Sequence, residues 1–321
     1  MRASTSPRGK KRPIKDTDLL ALNIVTSVSL STDEKRIAYT VERIDAEKNR
    51  YYSNLFIYDL SRKSTLQYTH GYHSDGGAVW SPDGKQLAFI STRDKRTGIY
   101  VMSAEGGPER MLIEVEADIS ELNWTPNGKE LVFGLRYRDS YFIPDEKKKS
   151  EAPVYRHITR LFYRLDGYGF LPKDTWQVYA LNITTNRLRK ITKGKRDNNS
   201  PVVSPDGKLI AFLSNRAKDP DLDPLKDDIF VISINGGRER RVPTPAGPKA
   251  TLRFSPDSKT IAYIGHDNPR DAWGVTNLHI WTVGVSGNPK AKNLIPKFDR
   301  MACDQSLADM EDAHDKLLLQ W

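Results

Sequence analysis

One ten-residue phrase recurs along the chain and constrains its fold more than any other feature: Trp80-Ser81-Pro82-Asp83-Gly84-Lys85-Gln86-Leu87-Ala88-Phe89. It reads as an apolar strand end, a four-residue reversal and a second apolar strand. Serine, proline and glycine stand at the first, second and fourth turn positions, where a type I turn prefers them. Proline presets φ, and the serine hydroxyl bonds the local backbone. The phrase therefore predicts a hairpin. Copies begin at Trp124, Val203 and Phe254, with the turns Thr125-Pro126-Asn127-Gly128, Ser204-Pro205-Asp206-Gly207 and Ser255-Pro256-Asp257-Ser258. A worn copy, Leu30-Ser31-Thr32-Asp33-Glu34-Lys35, lacks both proline and glycine.

Each copy is followed by another apolar run (55–59, 98–102, 177–181, 228–232, 278–282), then by a turn and a short strand such as 109–113 or 238–242. One repeat thus holds about four strands. The anchors Ser31, Ser81, Thr125, Ser204 and Ser255 are 50, 44, 79 and 51 residues apart. Periods in the forties with four strands each belong to propeller blades, and the longest interval contains an insertion. The expectation is an all-β chain, a β-propeller of about five four-stranded blades at 24–68, 78–113, 119–191, 199–242 and 250–293, with the insertion at 136–175 in the third. Residues 1–21 read as a basic tail. Trp321, after Leu317-Leu318-Leu319-Gln320, falls where Trp80 and Trp124 stand before their turns. A sixth blade is therefore expected to begin near 317, leaving an incomplete ring in a truncated chain.

Composition narrows the function classes. No apolar run approaches the roughly 18 residues of a membrane helix. The start carries Arg2, Arg8, Lys10, Lys11, Arg12 and Lys15 with no apolar segment behind them, which argues against export. The single cysteine, Cys303, excludes an internal disulfide. Together these point to the cytoplasm. The net charge of +9 invites a nucleic-acid reading, but Lys85, Lys129, Lys208 and Lys259 sit in turns interspersed with acids, as on an ordinary solvated surface. Neither a nucleic acid nor a membrane is expected as partner.

Three stretches tempt a chemical reading. Thr69–Gly77 puts His70, His73, Ser74 and Asp75 within one loop. It lacks the Gly-x-Ser-x-Gly spacing of a nucleophile elbow, and triad members come from distant positions, so an inter-blade loop is the better account. His70 and His73 have no third metal ligand at a recognisable spacing. The alternating acids of Asp219–Asp228 lack the glycine and terminal glutamate of a calcium loop, and read as a solvated acidic loop. The insertion is different. It carries the charged run 145–149 and then Tyr155, Arg156, Arg160, Phe162, Tyr163, Arg164, Tyr168 and Phe170. An excursion of that length packs on something or reaches a partner. Arg160, Tyr163, Arg164 and Asp166 are the candidates for contact with a substrate or a neighbouring domain, an arginine being suited to a peptide carboxylate or carbonyl. No catalytic residue, metal or cofactor is assigned.

The phrase at Trp80–Lys85 with Leu87–Arg93, then Ile99–Met102 and Gly106-Gly107-Pro108-Glu109-Arg110, resembles the amino-terminal propeller of prolyl oligopeptidase-type serine peptidases, in the acylaminoacyl-peptidase and dipeptidyl-peptidase branch. The insertion with Ile158–Gly169 belongs to the same likeness. The repeats alone also fit TolB-like propellers. The resemblance implies a parent serine peptidase acting on short peptides, in which the propeller gates the active site and the catalytic Ser, Asp and His lie in an α/β-hydrolase domain. This chain is then inactive alone, and homo-oligomers are possible. A stand-alone protein-binding propeller and an enzyme with its site in the central channel stay open.

Overall fold

A computed structural model describes residues 12–93, 96–138, 157–165, 169–271, 276–303, 319 and 321. After a short 3-10 turn at Asp16–Ala21, every described element is a β-strand. The strands fall into successive antiparallel meanders of four. The first is β1 (Ile24–Leu30), β2 (Arg36–Asp45), β3 (Arg50–Asp59) and β4 (Ser64–Gln67); the second is β5 (Ser74–Trp80), β6 (Gln86–Arg93), β7 (Arg96–Ser103) and β8 (Arg110–Val115). In the third, β9 (Ala117–Trp124) and β10 (Glu130–Tyr137) are separated by the two-stranded hairpin β11 (Arg164–Leu165) and β12 (Gly169–Phe170) from β13 (Gln177–Asn182) and β14 (Leu188–Lys190). The fourth is β15 (Asn199–Val203), β16 (Leu209–Asn215), β17 (Asp227–Ser233) and β18 (Arg240–Val242). The fifth is β19 (Lys249–Phe254), β20 (Thr260–Gly265), β21 (His279–Gly284) and β22 (Lys292–Asn293). One parallel pairing, Ser53 to Ser74, links the first two units.

The turn between the first two strands of each unit is the same object five times. In unit two the Gly84 N–H donates to the Ser81 carbonyl at 2.8 Å, closing the type I turn. The Ser81 hydroxyl donates to the Asp83 carboxylate (2.6 Å) and accepts the Gln86 N–H (2.9 Å), while Asp83 also accepts the Lys85 N–H (3.1 Å). Ser31, Ser204 and Ser255 repeat these bonds, and Thr125 with Asn127 makes them without a charge. The fourth turn residue is left-handed throughout: Gly84, Gly128 and Gly207 at φ 68, 67 and 71°, but also Glu34 at 58° and Ser258 at 62°. The hydroxyl and carboxylate clamp is strong enough to hold the turn where proline or glycine is missing.

Each unit buries one face on the next. Ala38, Leu55 and Ile57 of unit one pack with Trp80, Leu87, Phe89 and Tyr100 of unit two. The later junctions repeat this, down to Leu213, Ile229 and Val231 against Leu252, Ile261 and Val283. Stacked second- and third-strand aromatics, Phe89 on Tyr100 and Phe212 on Phe230, fill the middle layer. Four-stranded units cannot bury these faces alone, which is why the repeats stack.

A second device ties the junctions. Arg110, Arg189 and Arg240 occupy equivalent fourth-strand positions, opposite Val101, Ala180 and Val231. Each donates to the carbonyl just beyond the third strand of the following unit: Ile183, Ile234 and Val285. In unit one the equivalent residue is Leu66, and Arg36 reaches the corresponding Ala104 carbonyl instead, at 2.8 Å. In unit five the position is Lys292, opposite Thr282.

Candidate functional site at the long-loop end

Tight hairpins close one end of every unit. The second-to-third strand connections and the passages between units leave from the other, and there the lengths vary, as surface loops on a rigid scaffold do. The insertion leaves it after β10. Its root is firm: Arg136 and Arg138 both bond Asp118, and the Arg136 guanidinium lies over the Trp176 ring.

The insertion crosses to unit four. Arg160 bonds the Asp221 carboxylate through Nη2 (2.8 Å) and Nε (3.3 Å), and the Phe162 N–H donates to the same carboxylate at 3.0 Å. Hydrogen bonding from Arg160, chiefly, holds the Asp221 carboxyl below its ordinary value. Asp221 belongs to the acidic stretch 219–228, so that stretch is more than a solvated loop: one of its carboxylates is the anchor for the insertion. The anchored segment then forms the β11–β12 hairpin, where the Leu171 N–H meets the Tyr163 carbonyl (2.8 Å) and Tyr163 packs on Phe170 with ring centroids 6.1 Å apart.

Of the four candidates read from the sequence, Arg160 is therefore engaged within the chain, its side chain 48% exposed. Tyr163 and Arg164 are exposed on the hairpin, Arg164 resting over the Phe170 ring at 5.9 Å. Asp166 lies outside the described residues. No group of three or more His, Cys, Asp or Glu that could hold a metal occurs among the described residues.

Of the Thr69–Gly77 stretch, read from the sequence as a loop, only 69–73 is an inter-unit strap; Ser74–Gly77 already belongs to strand β5, paired with β6. The Leu55 N–H donates to the Thr69 hydroxyl (2.9 Å), the Asn54 amide to the Gly71 carbonyl (3.1 Å) and the Ser53 N–H to the His73 carbonyl (2.8 Å). Its polar side chains are not assembled into a nucleophilic site.

The sequence reading missed a set of buried polar residues at this end. Asp75, Asn198 and Lys249 each stand five residues before the apolar residue that precedes the turn, at the start of a unit's first strand, and all are buried. Asn198 bonds Gln177 (3.0 Å) and accepts from Arg216 (2.9 Å). Lys249 donates to the Asp227 and Gly247 carbonyls at 2.7 and 2.8 Å. Burial lowers the Lys249 ammonium to about 8 and raises the neighbouring Asp227 carboxyl to about 6. Asp75 keeps both carboxylate oxygens buried with no partner. Superposing the repeats on their turns would have brought the three together.

Residues 42–288 match the model of a family described as the acylaminoacyl-peptidase N-terminal β-propeller domain. The chain belongs to that family. Its curated relatives are peptidases by name: it is 31% identical over 214 residues to the uncharacterized peptidase YuxL of Bacillus subtilis, covering 66% of this chain and 32% of that protein. Dipeptidyl-peptidase 5 of Porphyromonas gingivalis is 25% identical over 308 residues, 87% of this chain and 42% of the relative. The chain thus spans about a third to two fifths of the curated relatives it matches. Among solved structures, an acylaminoacyl peptidase in complex with Z-Gly-Gly-Phe-chloromethyl ketone superposes with a TM-score of 0.67 at 15% identity, over 89% of this chain and 42% of that one. A TolB from Agrobacterium tumefaciens gives 0.55 at 16% identity, over 84% and 80%. At such identities the structural likeness speaks for the propeller fold alone. No described helix is long and apolar enough to cross a membrane.

Proposed function

We propose that this acylaminoacyl-peptidase-type propeller is the non-catalytic, substrate-gating portion of a cytoplasmic serine peptidase acting on short peptides. The family match over 42–288 carries the reading. Acyl transfer needs a nucleophile, a base and oxyanion donors in one place. Those roles are assigned to an α/β-hydrolase domain, as the length of the relatives favours. The units are read as five blades of an open ring, with Trp321 at the first strand of a sixth. Arg160 holds the insertion in place, and Tyr163, Arg164 and Asp166 are the contact residues for a substrate or another folded body.

The test is steady-state hydrolysis of acyl-peptide and dipeptide chromogenic substrates by residues 1–321. No turnover above the blank is expected, and turnover would move the chemistry into this chain. A second reading, a stand-alone protein-binding propeller, rests on the TolB likeness, in which the chain covers 80% of the neighbour rather than two fifths.

A further inference from the structure

Of the buried polar residues that open units two, four and five, Asp75 alone is unanswered: it is 1% exposed and neither carboxylate oxygen has a partner among the described residues. An ionised carboxylate in that setting is costly unless a positive charge joins it. Arg93 shares its face of the sheet, two residues beyond the Ser91 that pairs with Asp75, but its guanidinium is committed elsewhere. Nε donates to the Ser91 hydroxyl (3.0 Å), Nη2 pairs with Glu109 (2.9 Å) and the group lies 4.2 Å from the Tyr100 ring centroid. In unit four the equivalent Arg216 makes the matching pair with Glu239 and also donates to Asn198, at 2.9 Å each. The arginine thus serves the neutral amide of unit four and passes over the acid of unit two.

Unit five shows what this position can hold. Lys249 stands there, and its ammonium donates to the Asp227 and Gly247 carbonyls at 2.7 and 2.8 Å. Both carbonyls have counterparts at the junction of units one and two. Tyr39 pairs with Phe56 as Phe212 pairs with Phe230, so Asp227, three residues before Phe230, corresponds to Ser53, three before Phe56. Gly247 and His73 each lie two residues before the shared position. The backbone is braced at this point: the Ser53 N–H donates to the His73 carbonyl (2.8 Å) and the Ser53 hydroxyl to the Asp75 carbonyl (2.6 Å). Where unit five brings its own cation to two carbonyls, unit two brings a carboxylate. We propose that the junction of units one and two binds a monovalent alkali cation, with the Asp75 carboxylate and the Ser53 and His73 carbonyls as ligands. Oxygen donors carrying a single negative charge suit such an ion, whereas calcium sites gather several carboxylates, and Glu109 is paired with Arg93. The ion ties β3 to the strap before β5 as the Lys249 ammonium ties β17 to the segment before β19. The inference is independent of the peptidase reading.

Thermal melts of residues 1–321 in potassium, sodium or tetramethylammonium chloride at equal ionic strength test it. Potassium or sodium, at about ten times its dissociation constant, should raise the melting temperature by about 2–4 °C over tetramethylammonium, and further as its concentration grows, because a ligand of the folded chain alone stabilises it by mass action. Asp75→Asn keeps the shape and removes the charge, and should melt at one temperature in all three salts. Asp75→Lys copies unit five into unit two and should likewise lose the dependence on the cation. A wild type that melts alike in the three salts overturns the proposal, Arg93 then supplying the counter-charge. So does a preference for potassium or sodium that survives unchanged in Asp75→Asn, since the ion would then sit elsewhere.

Discussion

The Trp321 indole N–H donates to the Arg253 carbonyl at 3.3 Å, and Arg253 immediately precedes the last residue of the first strand of unit five. Trp80 meets Ser29 of unit one in the same way (3.0 Å), and Trp124 meets Val79 of unit two (3.1 Å). Ser29, Val79 and Arg253 are equivalent positions, so Trp321 touches unit five as Trp80 and Trp124 touch units one and two. They differ in burial: Trp80 is 6% exposed, Trp124 half-buried and Trp321 56% exposed. Trp80→Ala should therefore cost about 3–5 kcal/mol in urea unfolding, as large aromatic truncations in cores do. Trp321→Ala should cost no more than about 1 kcal/mol, one hydrogen bond in partial solvent. Equal losses would mean that Trp321 is packed as deeply as Trp80.

The arginines between units predict a graded series. Replacing Arg110, Arg189 or Arg240 by methionine keeps the apolar stem and removes the donor to the next unit's carbonyl, a charge-assisted bond worth about 1.5–3 kcal/mol. Lys292→Met should be neutral within about 0.5 kcal/mol, since it is an ordinary surface change. Denaturation midpoints of the four variants check the order. A loss at Lys292 matching the others would show that unit five engages a partner through it.

The left-handed residues in the turns give opposite signs for two similar substitutions. Glu34→Gly should stabilise by about 0.5–1 kcal/mol, because a side chain at positive φ is strained and Glu34 is exposed. Ser258→Gly should gain less or lose, because the Ser258 hydroxyl also accepts the Asp206 N–H at 3.0 Å across the junction of units four and five. Thermal melts of the pair decide it.

Acid should weaken the turns. Hydrogen bonds from the turn serine, and then from the following lysine N–H, hold Asp33, Asp83, Asp206 and Asp257 below the ordinary 3.8. A carboxyl depressed in the folded state contributes stability above its unfolded value and loses it as pH falls through the folded one. Urea midpoints should therefore drop below about pH 4, and Asp83→Asn should flatten that limb, as the uncharged Asn127 turn indicates. Asp227, raised to about 6, acts with opposite sign: stability falls as pH rises from 4 to 6. In Asp227→Asn that fall should vanish.

The all-β fold was legible because its signal is local and repeated. Ser81, Pro82, Asp83 and Gly84 specify a turn within four residues, and the recurrence of that turn sets the period. The same locality explains why the worn copy at Ser31 still folds: Ser31 and Asp33 supply the clamp without Pro or Gly. The clasp was not legible. Arg160 and Asp221 lie 61 residues apart on different units, and nothing near either one marks the other. The buried polar set escaped for another reason. Asp75, Asn198 and Lys249 share a position but no residue type, since each answers a different junction: Asn198 to an arginine and an amide, Lys249 to two carbonyls. The insertion was recognisable as an excursion by its length and composition, whereas which of its arginines is engaged depends on tertiary placement.

The central claim is that the chemistry lies outside this chain. Treating purified residues 1–321 with a fluorophosphonate and weighing the intact protein tests it most directly, because the reagent reports an activated serine whatever the natural substrate. The account predicts an unchanged mass. A stoichiometric adduct on any serine, Ser74 at the start of β5 included, would contradict it and place a catalytic centre within the propeller.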